Sequence, residues 1–160
     1  LKAARLVEHR REGKYMVYRL SGEDVAQLWV TLRLVAEEHL VELQLALQKM
    51  VAAPEQLTQA SRKELLAQAK RGEIIMLDVR PEEEYAVAHL PYARSMPLSE
   101  IERRLAELPK GREIVAYCRG PFCLFSEEAQ QLLKRKGYRV RKLLDGVAEW
   151  QAAGMPLERG

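Results

Sequence analysis

The chain is poor in cysteine, in histidine and in long apolar runs, and each shortage excludes a class of protein. Two cysteines in 160 residues are too few for a disulfide-stabilised secreted scaffold. No further cysteine or histidine stands at ligand spacing from them, so we predict neither a metal site nor a cofactor. No apolar run approaches the roughly 20 residues of a membrane span, and the N-terminus lacks the apolar core of a signal peptide. We therefore expect a cytoplasmic protein with no membrane partner.

The sequence begins at Leu1 rather than at Met, which leads us to expect a part of a longer protein. Its net charge of +3 is concentrated near that end. Six basic and two acidic residues fall within residues 1–20, against 20 basic and 21 acidic residues in the rest. A basic segment of this kind fits contact with a polyanion. A solvated hairpin explains the charge equally well, so composition alone does not decide.

The first 50 residues predict a hairpin followed by a long helix. Strand-favouring residues alternate on both sides of Glu12-Gly13, which predicts a hairpin over 7–20. Apolar residues at helical spacing predict one helix over 25–50, and a proline then starts a linker over 51–57. The helix is apolar on two sides and must be covered on both. We favour a second subunit as the cover, which makes the protein a homodimer; packing on the C-terminal part of the chain is the alternative.

Residues 58–160 alternate between strand and helix patterns. Buried-type strands are predicted at 74–77, 114–117 and 140–144, with helices between them. This alternation predicts an α/β fold with a mostly parallel sheet flanked by helices. Ligand sites in such sheets lie beyond the carboxyl ends of the strands, and Cys118 directly follows the second strand.

Cys118 is the candidate nucleophile, because a cysteine between a strand end and a helix N-terminus is favoured as a thiolate. A thiolate there can accept a sulfane sulfur, attack phosphate or arsenate, or be oxidised and resolved by a second thiol. Phosphate chemistry requires an arginine six residues later, where Leu124 stands. Glu127 and Glu128, near the start of the following helix, oppose a thiolate. A small buried packing residue is the alternative interpretation of Cys118.

Cys123, five residues after Cys118, has two interpretations. As a resolving thiol it forms a disulfide with Cys118, provided that the loop brings the two Cα atoms within about 7 Å. As a packing residue it fills the start of the following helix. The sequence leaves both open.

Four motifs within 58–160 resemble those of rhodanese domains. In chain order they are Leu77-Asp78-Val79-Arg80-Pro81, His89-Leu90-Pro91, Tyr117-Cys118-Arg119-Gly120, and Leu144-Asp145-Gly146 with Trp150. The resemblance implies that Cys118 forms a persulfide. It also implies framework residues near the site at Asp78, Arg80 and His89. The active-site loop that it implies consists of Arg119, Gly120, Pro121, Phe122, Cys123 and Leu124.

Three positions depart from the usual rhodanese pattern. Ala88 precedes the histidine and Tyr92 follows the His-Leu-Pro motif, where rhodaneses usually have glycine at both places. Cys123 stands where the active-site loop often has arginine. These departures favour a donor other than thiosulfate, or a sensing role, over ordinary thiosulfate sulfurtransferase activity.

Residues 1–50 resemble the C-terminal part of a winged helix-turn-helix repressor of the ArsR type. In chain order, residues 1–7, 7–20 and 25–50 are similar to the end of its recognition helix, its wing and its dimerisation helix. The resemblance implies that Arg10, Arg11 and Lys14 contact DNA phosphates without reading bases. It also implies a truncated domain, whose base-reading helices precede this segment in the intact protein.

The predicted function is that of a rhodanese-type sulfurtransferase forming a persulfide on Cys118, within an ArsR-type transcriptional regulator. Its partners are a sulfur donor such as thiosulfate or a persulfide, a thiol acceptor, and DNA through the intact N-terminal domain. The alternative is a redox- or sulfide-sensing module that uses Cys118 and Cys123 with little or no turnover. A catalytically silent interaction domain is the third possibility.

Overall fold

The chain forms an N-terminal unit of one hairpin and two helices, followed by a C-terminal α/β unit. The computed structural model describes residues 1–50 and 59–160, so the predicted linker over 51–57 lies outside it. The strands are β1 (Val7–Glu12), β2 (Tyr15–Leu20), β3 (Ile74–Asp78), β4 (Arg94–Ser95), β5 (Glu113–Tyr117) and β6 (Val140–Lys142). The helices are α1 (Glu23–His39), α2 (Val41–Met50), α3 (Gln59–Arg71), α4 (Glu82–Val87), α5 (Ile101–Arg104), α6 (Leu124–Arg135) and α7 (Val147–Ala152). Each of these helices is too short or too polar to cross a bilayer.

Four strands of the C-terminal unit form a parallel sheet in the order β4-β3-β5-β6. All residues of β3 are buried, and so are the last four of β5, because helices cover both faces of the sheet and leave no polar face. The predicted α/β fold with a parallel sheet is confirmed. The parallel arrangement brings the carboxyl ends of β3, β5 and β6 to one edge, where Cys118 lies directly after β5.

Two apolar clusters occupy the two faces of the sheet. Side chains alternate between the faces along each strand, so Leu77 and Met76 of β3 belong to different clusters. Leu133 of α6 is buried against the Leu77 face, and Trp150 of α7 is buried against the Met76 face. Cys118 lies in the Leu77 cluster, beneath α6.

The predicted hairpin over 7–20 is confirmed. β1 and β2 pair antiparallel from Val7 opposite Leu20 to Glu12 opposite Tyr15. Gly13 in the turn has φ +59°, which glycine adopts without steric cost. α1 follows the hairpin and packs against α7 of the C-terminal unit.

The predicted single helix over 25–50 is wrong, because the structure has two helices that meet at Leu40. Leu40 is extended, with φ −102° and ψ 104°. Its N–H makes the last bond of α1, to the Ala36 carbonyl, while its own carbonyl accepts from Leu43 and Gln44 at the start of α2. The break is therefore stabilised by hydrogen bonds on both sides, and no proline or glycine in the sequence announces it.

The two apolar sides of α1 have different surroundings. Ala26 and Val30 are buried where α1 packs on α7. On the opposite side, Leu28, Leu32 and Val35 are 58%, 59% and 48% exposed. The C-terminal part of the chain thus covers one side of α1, and the apolar stripe formed by Leu28, Leu32 and Val35 lies on the surface of the chain.

Candidate functional site

Cys118 and Cys123 form a disulfide that closes the loop after β5. Their Cα atoms are 6.2 Å apart, within the range that a disulfide requires. Of the two interpretations of Cys123, the structure agrees with the one in which it forms a disulfide with Cys118. The thiolate expected at Cys118 is absent from this state, because its sulfur is bonded to Cys123 and its side chain lies in the core with 1% exposure. Cys123 is only partly buried.

A tight turn brings the two cysteines together. The Cys123 N–H donates to the Gly120 carbonyl at 3.2 Å. Pro121 follows Gly120, at the turn position that suits its fixed φ. Gly120 itself has φ +125°, which L side chains rarely adopt. Because Cys123 is also the N-cap residue of α6, the backbone of the turn and the start of the helix together fix where both sulfur atoms lie.

The loop backbone also packs against the turn before α7. A Cβ atom at Gly146 would lie 2.6 Å from the Cys118 carbonyl oxygen and 2.8 Å from the Gly120 nitrogen. Real Cβ atoms do not approach backbone so closely, so this position requires glycine. The Leu144-Asp145-Gly146 motif marks the residue in the sequence, but only the fold shows that it supports the cysteine loop.

Arg119 ties the loop to α4. Its Nε donates to Glu84 Oε2 at 3.0 Å, and its Nη2 also donates to the Glu84 carboxylate. Glu84 in turn lies 3.9 Å from Arg80 Nη1. The guanidinium of Arg119 stacks near the ring of Phe125, 5.3 Å from its centroid. In this structure the charge of Arg119 is therefore paired with a carboxylate.

The three framework residues fix the segment between β3 and β4. Arg80 forms a bidentate pair with Asp78, with Nη2–Oδ2 at 2.6 Å and Nε–Oδ1 at 2.9 Å, and both side chains are buried. His89 stacks on the Tyr85 ring, with centroids 3.7 Å apart. Within the described residues, no hydrogen bond or ion pair joins Asp78, Arg80 or His89 directly to loop residues 119–123. Arg80 is linked to the loop through Glu84, which also pairs with Arg119.

Lys142 lies beneath the loop with its side chain largely shielded from solvent, and the sequence patterns did not point to it. Lys142 ends β6, and its side chain is 4% exposed. Its Nζ lies 3.4 Å from the Pro121 carbonyl oxygen and 3.9 Å from Glu127 Oε2. Burial lowers the pKa of Lys142, and Glu127 opposes that shift. A single lysine in a strand does not by itself indicate a site, since its neighbours depend on how β6 pairs with β5.

An ion pair between partly buried Arg33 and buried Glu149 joins α7, beside the loop, to α1. Arg33 Nη2 lies 3.2 Å from Oε1 of Glu149 in α7, and Arg33 also pairs with Glu37. Oε2 of Glu149 accepts a hydrogen bond from the Gly146 N–H at 2.8 Å, and a Cβ on Gly120 would lie 3.0 Å from Oε1. Burial raises the pKa of Glu149, while the Gly146 N–H and Arg33 lower it. The sequence separation of Arg33 and Glu149 hides this contact from sequence analysis.

A cavity of about 310 Å³ lies between α1 and the cysteine loop. Trp29 and Arg33 line it from α1, residues 119–123 line it from the loop, and Glu149 completes the wall. The indole of Trp29 is 55% exposed. Cys123, the less buried half of the disulfide, therefore faces the N-terminal unit across this cavity.

The predicted DNA-contacting residues lie on the hairpin. Arg10, Arg11 and Lys14 are exposed. Arg10 pairs with Glu12 at 2.6 Å, and Arg11 donates to the Gly13 carbonyl at 3.0 Å. These three predicted residues thus lie on the surface of the hairpin, in a unit separate from the cysteine loop.

A family model described as the rhodanese-like domain matches residues 61–153. The chain belongs to the rhodanese-like family. The match confirms the resemblance of the C-terminal motifs. Over all 160 residues the chain is 43% identical to the HTH-type transcriptional regulator Rv0324 of Mycobacterium tuberculosis, and it covers 70% of that protein.

Two further similarities concern the rhodanese-like unit and its fold. Over 90 residues, which are 56% of this chain and 82% of the relative, the chain is 34% identical to a protein of Allochromatium vinosum named sulfurtransferase. The crystal structure of the BH2092 protein from Bacillus halodurans superposes with a TM-score of 0.57 and 33% identity, covering 61% of this chain and 74% of that one.

Proposed function

We propose that this chain is the sensing part of an ArsR-type transcriptional regulator, in which Cys118 and Cys123 alternate between two thiols and a disulfide. The observation that carries the proposal is the disulfide between the two cysteines in the rhodanese-like loop. A relative named as a transcriptional regulator, similar over the whole chain, supports the regulatory role.

The oxidising step uses the chemistry of sulfane sulfur. The Cys118 thiolate takes the terminal sulfur of a donor such as thiosulfate or a persulfide; the donor's S–S bond breaks, and the donor leaves as sulfite or as a thiolate. The Cys123 thiolate then attacks Sγ of the Cys118 persulfide. A disulfide forms, the persulfide S–S bond breaks, and HS⁻ leaves and takes a proton. In balance, two thiols and one sulfane sulfur give one disulfide and one hydrogen sulfide.

Burial of the product favours sensing over continuous turnover. In the disulfide state Cys118 is 1% exposed and its sulfur is fully bonded, so a second donor cannot reach it. A thiol acceptor must first reduce the disulfide before the cycle repeats. A module that stops after one event and waits for reductant reports the balance of sulfane sulfur and thiols.

The contacts between the loop and α1 support a route from the sulfur state to the regulator. The Gly120 backbone lies against Glu149, and Glu149 pairs with Arg33 of α1. Closing or opening the loop changes the position of Gly120, and hence what Glu149 and Arg33 contact. α1 continues directly from the hairpin that carries Arg10 and Lys14.

The proposal extends to DNA and to a second copy of the chain. Arg10, Arg11 and Lys14 are proposed to contact phosphates when the intact N-terminal domain binds DNA. The exposed apolar stripe of α1 is proposed to pair with the same stripe of a second protomer, as burial of exposed apolar surface favours association.

Mass spectrometry of the chain after reduction and exposure to an inorganic polysulfide tests the proposal. We expect the wild type to lose about 2 Da as its disulfide forms, and Cys123→Ser to keep a sulfur adduct of about 32 Da on Cys118. Cys118→Ser is the matched control and should form neither product. A wild-type protein that stays a dithiol under these conditions contradicts the proposal.

Sulfurtransferase turnover is the second candidate function, and the sulfurtransferase of Allochromatium vinosum supports it. It requires that the sulfane sulfur leave Cys118 for an external acceptor before Cys123 attacks. Release of sulfite from thiosulfate, followed over time with cyanide as acceptor, separates the two functions. Many turnovers per protein favour transfer, whereas one turnover that stops with the disulfide favours sensing.

A further inference from the structure

Lys142 is a charged group in the loop region to which the proposed chemistry assigns no role. Lysine ammonium groups are seldom buried without a close carboxylate. Here the side chain is 4% exposed, yet its nearest carboxylate oxygen, on Glu127, is 3.9 Å away and that side chain is 26% exposed. The other contact is a 3.4 Å hydrogen bond to the Pro121 carbonyl. An ammonium has three N–H donors, so these two long contacts leave it incompletely paired in the disulfide state.

The pairing of the strands places Lys142 and Cys118 on one face of the sheet. Lys142 of β6 pairs with Ala116 of β5 in parallel register, and paired residues on adjacent strands point to the same face. Cys118 comes two residues after Ala116, and both belong to the cluster beneath α6. The ammonium of Lys142 reaches Pro121, which lies between the two cysteines. The Lys142 side chain and Cys118 therefore lie on the same face of the sheet, and the Lys142 ammonium contacts the loop that follows Cys118.

The charges around the loop leave Lys142 as the cation best placed to act on the sulfur. Arg119 is paired with Glu84, and Arg33 is paired with Glu37 and Glu149. Glu127 lies in the first turn of α6, where it opposes a thiolate and weakly attracts Lys142. Among the described residues, charged groups in or beside the loop are Glu84, Arg119, Glu127, Lys142, Glu149 and Arg33.

We propose that Lys142 is the positioning residue whose ammonium stabilises the Cys118 thiolate when the loop disulfide is reduced. This inference rests on the proposed function, since it assigns the electrostatic partner of the cysteine that reacts there. Reduction creates a negative charge at Cys118 beneath the loop, and the underpaired ammonium supplies the opposite charge from the same face of the sheet. In the disulfide state the same ammonium holds the Pro121 carbonyl, so it changes partner with the state of the sulfur.

The pH dependence of Cys118 alkylation tests this role. Fully reduced protein is treated with iodoacetamide between about pH 5 and pH 10, and the rate at the Cys118 peptide is followed by mass spectrometry. We expect Lys142→Gln to move the midpoint of the profile upward by about one pH unit. Gln is shorter than Lys, so this variant also gives up the 3.4 Å contact with the Pro121 carbonyl, and Lys142→Arg is the variant that keeps the charge. Lys142→Arg should restore the midpoint to within a few tenths of a unit.

Two variants serve as controls. Lys134→Gln removes an equal charge from the exposed last turn of α6 and should leave the midpoint unchanged. Glu127→Gln removes the carboxylate that opposes the thiolate and should move the midpoint downward. If folded Lys142→Gln titrates like the wild type, the inference is wrong. If Lys142→Gln does not fold, an unchanged midpoint in Glu127→Gln or a raised midpoint in Lys142→Arg overturns it instead.

A separate arm distinguishes this inference from the proposed function. At about pH 9.5 even a partly ionised thiol reacts to completion if given enough time, so Lys142→Gln should make the disulfide from inorganic polysulfide as completely as the wild type. If the wild type itself makes none, the proposed function fails, and the alkylation profile still decides the role of Lys142. If all variants react but their profiles coincide, only the inference about Lys142 fails.

Discussion

The rhodanese-like unit and the N-terminal unit bury their apolar side chains to different extents. The chain has two tryptophans, one in each unit: Trp150 is 1% exposed, whereas Trp29 of α1 is 55% exposed. The β3 strand is wholly buried, while Leu28 and Leu32 of α1 are more than half exposed. The difference indicates that the rhodanese-like unit is stabilised by its own core, and that the N-terminal unit leaves apolar surface uncovered within the described chain.

The two tryptophans give the largest expected contrast. Trp150→Ala leaves a cavity on the α7 face of the sheet and should lower the free energy of unfolding by about 3–5 kcal/mol. Trp29→Ala removes an exposed side chain and should lower it by about 0.5 kcal/mol or less. Urea unfolding followed by circular dichroism measures the free energy of unfolding of both variants. This method does not need tryptophan fluorescence, which each substitution changes. Similar losses in the two variants would remove the distinction between the units.

A smaller effect is expected at the support of the cysteine loop. Gly146→Ala places a methyl group against the Cys118 carbonyl and the Gly120 nitrogen, and should cost about 1–3 kcal/mol of stability. It should also slow formation of the disulfide, because the loop must shift to admit the methyl group. Gly111→Ala is the control, since a methyl group at Gly111 would meet no atom within 4 Å and the φ of Gly111 is not in the left-handed region. Equal stability of both variants would show that the contact is not rigid.

The sequence predicted the core of the rhodanese-like unit better than its site. Apolar runs at 74–77 and 114–117 predicted β3 and β5 because strands buried on both faces read as continuous apolar segments. Sequence placed Cys118 at the strand end but left its pairing with Cys123 open, because the closing turn depends on backbone geometry. The contact of Arg33 with Glu149 was not predictable, since it depends on how α1 docks on α7.

The same limit explains the break at Leu40. The apolar spacing of 25–50 continues across it, and no helix-breaking residue stands there. The break follows from hydrogen bonds around Leu40, including the side-chain amide of Gln44 donating to the Glu38 carbonyl at 3.0 Å. Apolar periodicity shows which faces of a helix are apolar. It does not show where a helix is interrupted when every residue in it has an adequate helix propensity.

The ion pair between the units predicts a pH dependence. Burial raises the pKa of Glu149 above its ordinary value, so the folded protein binds this proton more tightly than the unfolded chain does. Its contribution to stability is complete below the ordinary carboxyl pKa and is lost as the pH rises through the raised value. Arg33→Met removes a group that lowers this pKa, and should therefore enlarge the loss by about 1 kcal/mol at neutral pH.

Urea unfolding of the wild type, Arg33→Met and Glu149→Gln across about pH 4 to pH 8 measures this effect. Glu149→Gln is the control, because it lacks the titrating carboxyl and should show a flatter profile in that range. Parallel profiles for wild type and Arg33→Met would mean that the guanidinium does not influence Glu149, and that the units are not coupled through this pair.

The smallest effect on the stability of the single chain is expected from substitutions in the exposed stripe of α1. They also test most directly whether the N-terminal unit uses its exposed apolar surface for association. Leu32 is 59% exposed, so Leu32→Glu should change the free energy of unfolding of one protomer by about 0.5 kcal/mol or less. If the stripe pairs with a second copy, the same substitution places a charge in an apolar interface, and sedimentation should show a monomer where the wild type is a dimer. Gln27→Glu adds the same charge to α1 outside the stripe and should leave the dimer intact. A wild type that stays monomeric at high concentration would show that exposure of α1 does not serve self-association, and the contrast between the two units would then need another partner to explain it.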